Sequence, residues 1–173
     1  EFIQTRHKII LGIRKWFDQK KFIETETPLL VSAPSPEVQL FPVKTDKGYL
    51  ITSPEYQMKR LLVGGFDKIF QITRCFRDNE NSPQHNPEFT MLEWYRTYEP
   101  LEKLMTDIEQ FVLHISDSIK SNLISKKIPL PPWPRISVSS LFKKHFGIKL
   151  DGYETANELR RKAVLSGYVK LFN

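Results

Sequence analysis

The chain has 173 residues, with a single cysteine, Cys75, and no long run of apolar residues. One thiol excludes an internal disulfide and a cysteine-rich metal site. Because Cys75 lies in the middle of an alternating segment, a small buried side chain is favoured over a nucleophile. The longest apolar runs are far too short to span a bilayer, and no signal peptide is visible. We therefore expect a cytoplasmic protein with no membrane partner.

The composition is that of an ordinary globular protein, with 40% hydrophobic and 27% charged residues. A chain of this length buries roughly 70% of its unfolded surface, which is enough for a domain with a true core. The formal net charge of +6 favours acidic partners such as a nucleotide, an RNA or an acidic protein. Many lysines cluster at 120–127 and 143–149, where a solvated surface is the alternative explanation.

The most informative stretch is residues 69–98, in which two alternating segments flank a polar loop. Alternation of side chains over 68–77 and 88–98 predicts two β-strands. The loop at 78–84 is dense in residues that favour turns. The stretch therefore predicts a pair of long strands whose two faces carry different side chains.

One face of the second predicted strand combines aromatic side chains with a carboxylate. Phe89, Glu93 and Tyr95 share this face, and Arg77 ends the neighbouring strand. At a rise of roughly 3.3 Å per residue, Phe89 and Glu93 would lie about 13 Å apart. This spacing suits an elongated ligand, with a flat ring on Phe89, an anionic group at Arg77 and a cationic group at Glu93. The alternative is a half-exposed hairpin with ordinary solvated charges.

Helical periodicity and capping residues predict several further elements. Ser53 is a good N-cap and Pro54 a good first helical residue. Thr155 and Glu158 have the spacing of a capping box. The predicted elements are a helix over 3–20, a helix that begins after Ser53 and ends at Gly64-Gly65, a short strand near 38–43, a helix over 101–123, a stiff connector over 128–134, and two short helices that begin near Ser137 and Thr155.

Three blocks occur in order along the first hundred residues: FIETETP at 22–28, TSPEYQMKRLL at 52–62 and FRDNENSPQHNPEFTMLEWY at 76–95. They resemble motif 1, the segment before motif 2, and motif 2 of the class II aminoacyl-tRNA synthetases, lysyl branch. Within that branch, the last two blocks are most similar to the elongation factor P–lysine ligase family.

The resemblance implies an α+β fold, in which an antiparallel sheet is flanked by helices. It implies a synthetase core at 1–100, followed by a helical continuation and the start of an insertion at 101–173. The implied activity is ATP-dependent activation of lysine or β-lysine to an aminoacyl-adenylate, followed by transfer to a lysine of elongation factor P. The alternatives are a lysyl-tRNA synthetase that charges tRNA(Lys), and a non-catalytic paralogue that binds a partner or an amino acid.

The resemblance also implies roles for individual residues. Arg77 would be catalytic, because a fixed cation stabilises the charge that develops on the α-phosphate. Glu55 would hold substrate, although a carboxylate that complements a helix N-terminus is the alternative. Pro28 would lie at the interface of a homodimer. The implied ATP-binding residues are Arg77, Asp78, Asn79, His85, Asn86 and Phe89, and the implied amino-acid-binding residues are Ser53, Pro54, Glu55, Glu93 and Tyr95.

The sequence departs from the family pattern in two places. Asn79 stands where the family has a glutamate that contacts adenine; its amide oxygen can still accept a hydrogen bond, or Glu80 can replace it. No block in 100–173 resembles motif 3, and the acidic residues that hold Mg²⁺ lie downstream in the family. We therefore expect no metal ligands in this chain, an N-terminal part of a longer enzyme, and no adenylate formation by this part alone.

Overall fold

The computed structural model describes residues 1–78, 82–119 and 128–167. The chain divides into two compact units, Glu1–Ile128 and Pro129–Asn173. Among the described residues, no helix is long and apolar enough to cross a membrane. The division into a core at 1–100 and a continuation at 101–173 stays a prediction.

The first unit contains three helices and six strands within the described residues. The helix predicted at 3–20 is confirmed, and so are both strands of the 69–98 stretch. The helix predicted at 101–123 is observed to Ile119, and its last four residues lie outside the described part of the chain. The elements are α1 (Phe2–Gln19), β1 (Ile23–Glu24), β2 (Leu30–Val31), β3 (Lys44–Thr45), β4 (Gly48–Leu50), α2 (Glu55–Val63), β5 (Lys68–Phe76), β6 (Glu88–Arg96) and α3 (Leu101–Ile119).

The main sheet has the strand order β1-β5-β6. Strands β5 and β6 are antiparallel, with Gln71 opposite Glu93 and Cys75 opposite Phe89. Strand β1 is parallel to β5, with Ile23 opposite Ile69. The expectation of an antiparallel sheet is therefore wrong for this edge: the sheet is mixed, because the chain leaves β1 and crosses over before it enters β5 in the same direction.

The strand predicted near 38–43 is wrong. Phe41 makes only an isolated bridge to Asp78, and the strand begins at Lys44, paired with β4. Pro42 lacks the N–H that a ladder requires. The first residue of β4, Gly48, must be a glycine. Its φ is 145°, and a Cβ there would lie only 2.3 Å from the carbonyl oxygen of Val31. Strands β2, β4 and β3 form a second, antiparallel sheet.

An aromatic core lies between α1, α3 and one face of the main sheet. Phe17 of α1 is fully buried and stacks on Phe70 of β5, with ring centroids 4.3 Å apart. Phe111 of α3 meets Trp94 of β6 at 5.9 Å and Trp16 of α1 at 5.3 Å. Because strand side chains alternate, the neighbours of Phe70 and Trp94 lie on the opposite face. The aromatic core therefore occupies one face of the sheet, while Ile69, Gln71 and Cys75 of β5 are buried on the other face.

A buried ion pair ties β6 to α3. Asp107 is 1% exposed, and its carboxylate lies 2.8 Å from the guanidinium of Arg96 and 2.6 Å from the ammonium of Lys103. The Arg96 guanidinium also lies over the Phe22 ring, at 5.0 Å from its centroid. A carboxylate at this depth requires such partners, because an isolated buried charge costs several kcal/mol.

The second unit contains the two short helices predicted after the connector, α4 (Val138–Phe146) and α5 (Ala156–Leu165). Ser137 caps α4 by accepting a hydrogen bond from the backbone N–H of Ser140 at 3.1 Å. The capping box of Thr155 and Glu158 is present at the start of α5. Both predictions of helix starts are thus confirmed, because capping is a local interaction that the sequence encodes.

Candidate functional site

The sheet face opposite the core carries the predicted amino-acid-binding residues of β6. Glu93 and Tyr95 are half-buried there. One oxygen of Glu93, Oε2, accepts a hydrogen bond from Ser53 Oγ at 2.7 Å. The other, Oε1, accepts one from the Tyr95 hydroxyl. The Glu93 carboxylate thus lies between two hydroxyl donors, one of them 40 positions away in the sequence. Glu93, Ser53 and Tyr95 form what we call the Glu93 cluster.

Ser53 reaches Glu93 because of how α2 begins. The prediction of Ser53 as the N-cap is wrong by one residue: Pro54 is the N-cap, and its carbonyl accepts the first helical bond from Met58 N at 2.9 Å. The Ser53 hydroxyl nevertheless accepts from the backbone N–H of Glu55 at 3.0 Å. The Ser53 hydroxyl therefore accepts a hydrogen bond from the first turn of α2 and donates one to the Glu93 carboxylate. These two bonds hold the carboxylate in place relative to the start of the helix.

Glu55 lies in the first turn of α2 and forms an ion pair with Lys59, four residues later. The hydrogen bond to Glu55, followed by its charge, raises the pKa of Lys59. The position also complements the positive end of the helix, as the alternative explanation for Glu55 requires. The carboxylate is therefore held beside the Glu93 cluster and already accepts an ammonium group.

The Tyr95 hydroxyl is partly buried and lies near several carboxylates. Burial raises the pKa of the Tyr95 hydroxyl, and so do its hydrogen bond to Glu93 and the charges of Glu93, Glu55 and Glu37. The phenol therefore remains a hydrogen-bond donor over the whole physiological pH range. Sequence patterns did not point to Glu37, because it lies in the irregular segment between β2 and β3.

The predicted ATP-binding residues form a second group near the far end of the hairpin. Arg77, His85, Asn86 and Phe89 line one cavity of about 250 Å³. The Arg77 guanidinium lies over the Phe89 ring at 5.2 Å from its centroid, and its Nε donates to the carbonyl of Thr52 at 3.3 Å. An arginine and an aromatic ring are thus held together beside a cavity open to a ligand.

The remaining predicted residues are placed differently. Asp78 is exposed and does not line the cavity; its backbone N–H donates to the carbonyl of Phe41 at 2.7 Å. Asn79 and Glu80 lie outside the described residues. Pro54 is buried beneath the start of α2. Pro28 is exposed. The residue before it, Thr27, is buried, and its Oγ1 donates a hydrogen bond to the side-chain oxygen of Gln71 at 3.1 Å.

Sequence reasoning missed one residue that lines the cavity and one that contacts its wall. Gln84 lines the cavity with Arg77 and Phe89, and Ser82 contacts the ring of His85 at 2.9 Å. The only signal was the turn composition of the loop, which predicts a turn but no contact. Alternation does not extend into a loop, so period-two patterns cannot assign its side chains to a face.

Clusters of metal-ligating side chains are absent from the part of the chain that the structure describes. Within 1–78, 82–119 and 128–167, no group of three or more histidine, cysteine, aspartate or glutamate side chains is arranged to hold a metal ion. Mg²⁺ requires oxygen ligands in near-octahedral geometry, shared with phosphates. Among the described residues that line the cavity at Arg77, none is a carboxylate.

Residues 1–166 match the family model of the class II tRNA synthetases (D, K and N). The chain therefore belongs to this family, and the resemblance seen in its three sequence blocks is confirmed. Its helices and its mixed and antiparallel sheets are consistent with the α+β class.

Relatives with curated names are ligases. An "Elongation factor P--(R)-beta-lysine ligase" of Baumannia cicadellinicola is 36% identical over 97% of this chain and 52% of its own length. The protein of the same name in Buchnera aphidicola is 39% identical, over 85% of this chain and 51% of its own. A "Lysine--tRNA ligase" of Moorella thermoacetica is 34% identical, over 94% and 35%. The chain thus spans between about a third and a half of these relatives.

Proposed function

We propose that this chain carries the lysine pocket and part of the ATP site of a ligase that activates lysine or β-lysine and transfers it to a lysine of elongation factor P. One observation supports this most: the Glu93 cluster and the Arg77–Phe89 cavity are linked by the dipeptide Thr52-Ser53. The carbonyl of Thr52 accepts from Arg77, and the hydroxyl of Ser53 donates to Glu93. A cation-binding pocket and an anion-binding pocket are thereby fixed relative to each other.

Glu93 and Glu55 would bind the ammonium groups of the amino acid. Two hydroxyl donors orient the Glu93 carboxylate, and each of its oxygens has a further lone pair for an ammonium N–H. Glu55 already pairs with the ammonium of Lys59, which is the chemical group that lysine would present.

Arg77 and Phe89 would bind the nucleotide. The adenine ring would stack on Phe89, and the planar fork of Arg77 suits phosphate oxygens better than a lysine would. An oxygen of the amino-acid carboxylate attacks the α-phosphorus, the bond to the leaving pyrophosphate breaks, and an aminoacyl-adenylate forms. Negative charge builds on the α-phosphate, where Arg77 stabilises it.

The acceptor is the finer part of the proposal. Relatives named for elongation factor P and relatives named for lysine–tRNA ligation have similar identity, at 36% and 34%. We favour elongation factor P because the blocks at 52–62 and 76–95 are most similar to that ligase family. Charging of tRNA(Lys) is the second candidate. With either acceptor, we propose that the protein is a cytoplasmic homodimer and that residues after 173 bind Mg²⁺.

The test uses the protein expressed from its complete reading frame. ATP–pyrophosphate exchange is measured with lysine, with (R)-β-lysine and with no amino acid, and the labelled amino acid is then offered to elongation factor P and to tRNA(Lys). Exchange with one of the two amino acids and labelling of elongation factor P alone would support the proposal. Charging of tRNA(Lys) alone would favour the second candidate. No exchange with either amino acid would favour a non-catalytic paralogue.

A further inference from the structure

The loop between β5 and β6 contains a turn, Ser82–His85, that is closed by backbone hydrogen bonds between its first and last residues. The backbone N–H of His85 donates to the carbonyl of Ser82 at 3.1 Å, and the N–H of Ser82 donates back to the carbonyl of His85 at 3.4 Å. Two residues of this turn, Gln84 and His85, line the cavity that holds Arg77 and Phe89. The turn is therefore part of the wall of the proposed nucleotide site.

The Ser82 hydroxyl contacts both of these wall residues. Its Oγ accepts from the backbone N–H of Gln84 at 3.3 Å and lies 2.9 Å from Nδ1 of His85. A hydroxyl has one hydrogen to donate. Since the bond from Gln84 uses an oxygen lone pair, the hydroxyl hydrogen finds its partner when Nδ1 of His85 is the acceptor.

The contact between Ser82 and His85 fits either tautomer, because the hydroxyl oxygen has a second lone pair that can accept from Nδ1–H. When Nδ1 accepts from Ser82, the proton of the neutral imidazole is on Nε2. Nε2–H is then a donor that needs no positive charge on the ring, and a donor is what phosphate oxygens require. Without the serine, the proton would distribute between the two nitrogens and the ring would be free to rotate.

We propose that Ser82 is a positioning residue that holds His85 as the Nε2–H tautomer for a phosphate oxygen of the nucleotide. The proposal rests on the proposed function, because His85 has this use only if the cavity binds ATP. Ser82 itself does not touch the nucleotide and acts through His85 and the backbone of Gln84.

The first measurement is the tautomer, read without nucleotide. The complete protein is labelled with [¹⁵N]histidine, and long-range ¹⁵N–¹H spectra are recorded at mildly alkaline pH, where an unperturbed imidazole is neutral. The chain has four histidines, and the His85→Gln variant assigns the signal. We expect the Nε2–H pattern in the parent, a mixture of tautomers in Ser82→Ala, and the parent pattern again in Ser82→Thr.

The second measurement is the dissociation constant for ATP alone. We expect Ser82→Ala to weaken ATP binding by about two- to tenfold, as loss of one hydrogen bond does, while lysine binding is unchanged. Ser82→Thr keeps the hydroxyl and should stay within about twofold of the parent. Ser139→Ala, which removes a serine hydroxyl in the second unit, is the matched control and should bind ATP as the parent does.

Three results overturn the inference: the Nδ1–H tautomer in the parent, a parent-like spectrum in Ser82→Ala, or a shifted spectrum in Ser82→Ala with unchanged ATP affinity. Failure of the proposed function has a different signature. A parent protein that binds no ATP contradicts that function, whereas the tautomer pattern in the parent, Ser82→Ala and Ser82→Thr still tests whether Ser82 positions His85.

Discussion

The Tyr95 hydroxyl donates a hydrogen bond to the carboxylate of Glu93, two residues earlier on the same strand. Both side chains point to the face opposite the aromatic core, and their partners in β5, Ile69 and Gln71, are buried there. Because Ser53 donates to the other carboxylate oxygen at 2.7 Å, Glu93 is fixed from two sides. Its orientation depends on two donors that come from different elements of the fold.

Replacement of Tyr95 by phenylalanine is therefore expected to weaken lysine binding. Loss of a hydrogen bond to a charged group typically corresponds to about 1.5–3 kcal/mol, so the KM for lysine in pyrophosphate exchange should rise about tenfold or more. The KM for ATP should stay within twofold. Tyr98→Phe is the control, because Tyr98 is 97% exposed. An unchanged KM for lysine in Tyr95→Phe would show that the Tyr95 hydroxyl does not orient Glu93 for the substrate.

Replacement of Arg77 by lysine should lower the rate of adenylate formation while leaving the fold intact. The charge is kept, but the planar fork and the stacking on Phe89 are lost. We expect kcat for exchange to fall about 10²- to 10³-fold, the size typical for loss of a group that stabilises transition-state charge. Arg74→Lys is the matched control, because Arg74 is exposed on the other face of β5 and pairs with Glu88. An equal kcat for exchange in the two variants would show that Arg77 does not stabilise the transition state.

Replacement of Asp107 by alanine is expected to destabilise the first unit by about 3–5 kcal/mol, since it leaves Arg96 as a buried charge without its closest partner. The measurement is urea denaturation followed by tryptophan fluorescence. Asp117→Ala, an exposed carboxylate on the same helix, should change the free energy of unfolding by no more than about 0.5 kcal/mol. A similar small change in Asp107→Ala would mean that Arg96 finds another partner.

Lys21→Gly should stabilise the protein. Lys21 follows α1 with φ of 60°, and Phe22 N donates to the carbonyl of Phe17 at 2.9 Å, a helix ending that favours glycine. A lysine in this left-handed conformation is strained, and we expect a gain of about 0.5–1 kcal/mol in the free energy of unfolding. Lys15→Gly, in the middle of the same helix, should cost about 1 kcal/mol. A loss in both variants would contradict the strain argument.

Cys75 should make stability fall at alkaline pH. Burial raises the pKa of its thiol to about 11 from the ordinary 9.0, and the charge of Glu93 adds to the effect. Between these two values the unfolded thiol loses its proton while the native thiol keeps it, so the native state is progressively destabilised as pH rises. The measurement is the free energy of unfolding at several pH values in the parent and in Cys75→Ala. Identical pH dependence in the two proteins would contradict it, as would rapid reaction of the native thiol with a disulfide reagent at neutral pH.

The strands of the 69–98 stretch, and which side chains share a face, were predictable because both follow from local alternation. The helix starts at Ser137 and Thr155 were predictable for a similar reason, since capping involves residues within one turn. The segment 31–48 was not, because Phe41 pairs with Asp78, which is distant in sequence. The parallel pairing of β1 with β5 was missed for the same reason. A strand of two residues has no sequence pattern that indicates its partner strand or its direction.

The sequence by itself determined the membership in the class II synthetase family, the placement of Phe89, Glu93 and Tyr95 on one face, and the burial of Cys75. Only the tertiary structure decided which groups meet. Ser53 donates to Glu93, Arg77 donates to the carbonyl of Thr52, and Asp107 is buried with Arg96. Periodicity fixes the direction in which a side chain leaves its own strand or helix, whereas its partner depends on how separate elements pack, and packing is set by contacts across the whole core.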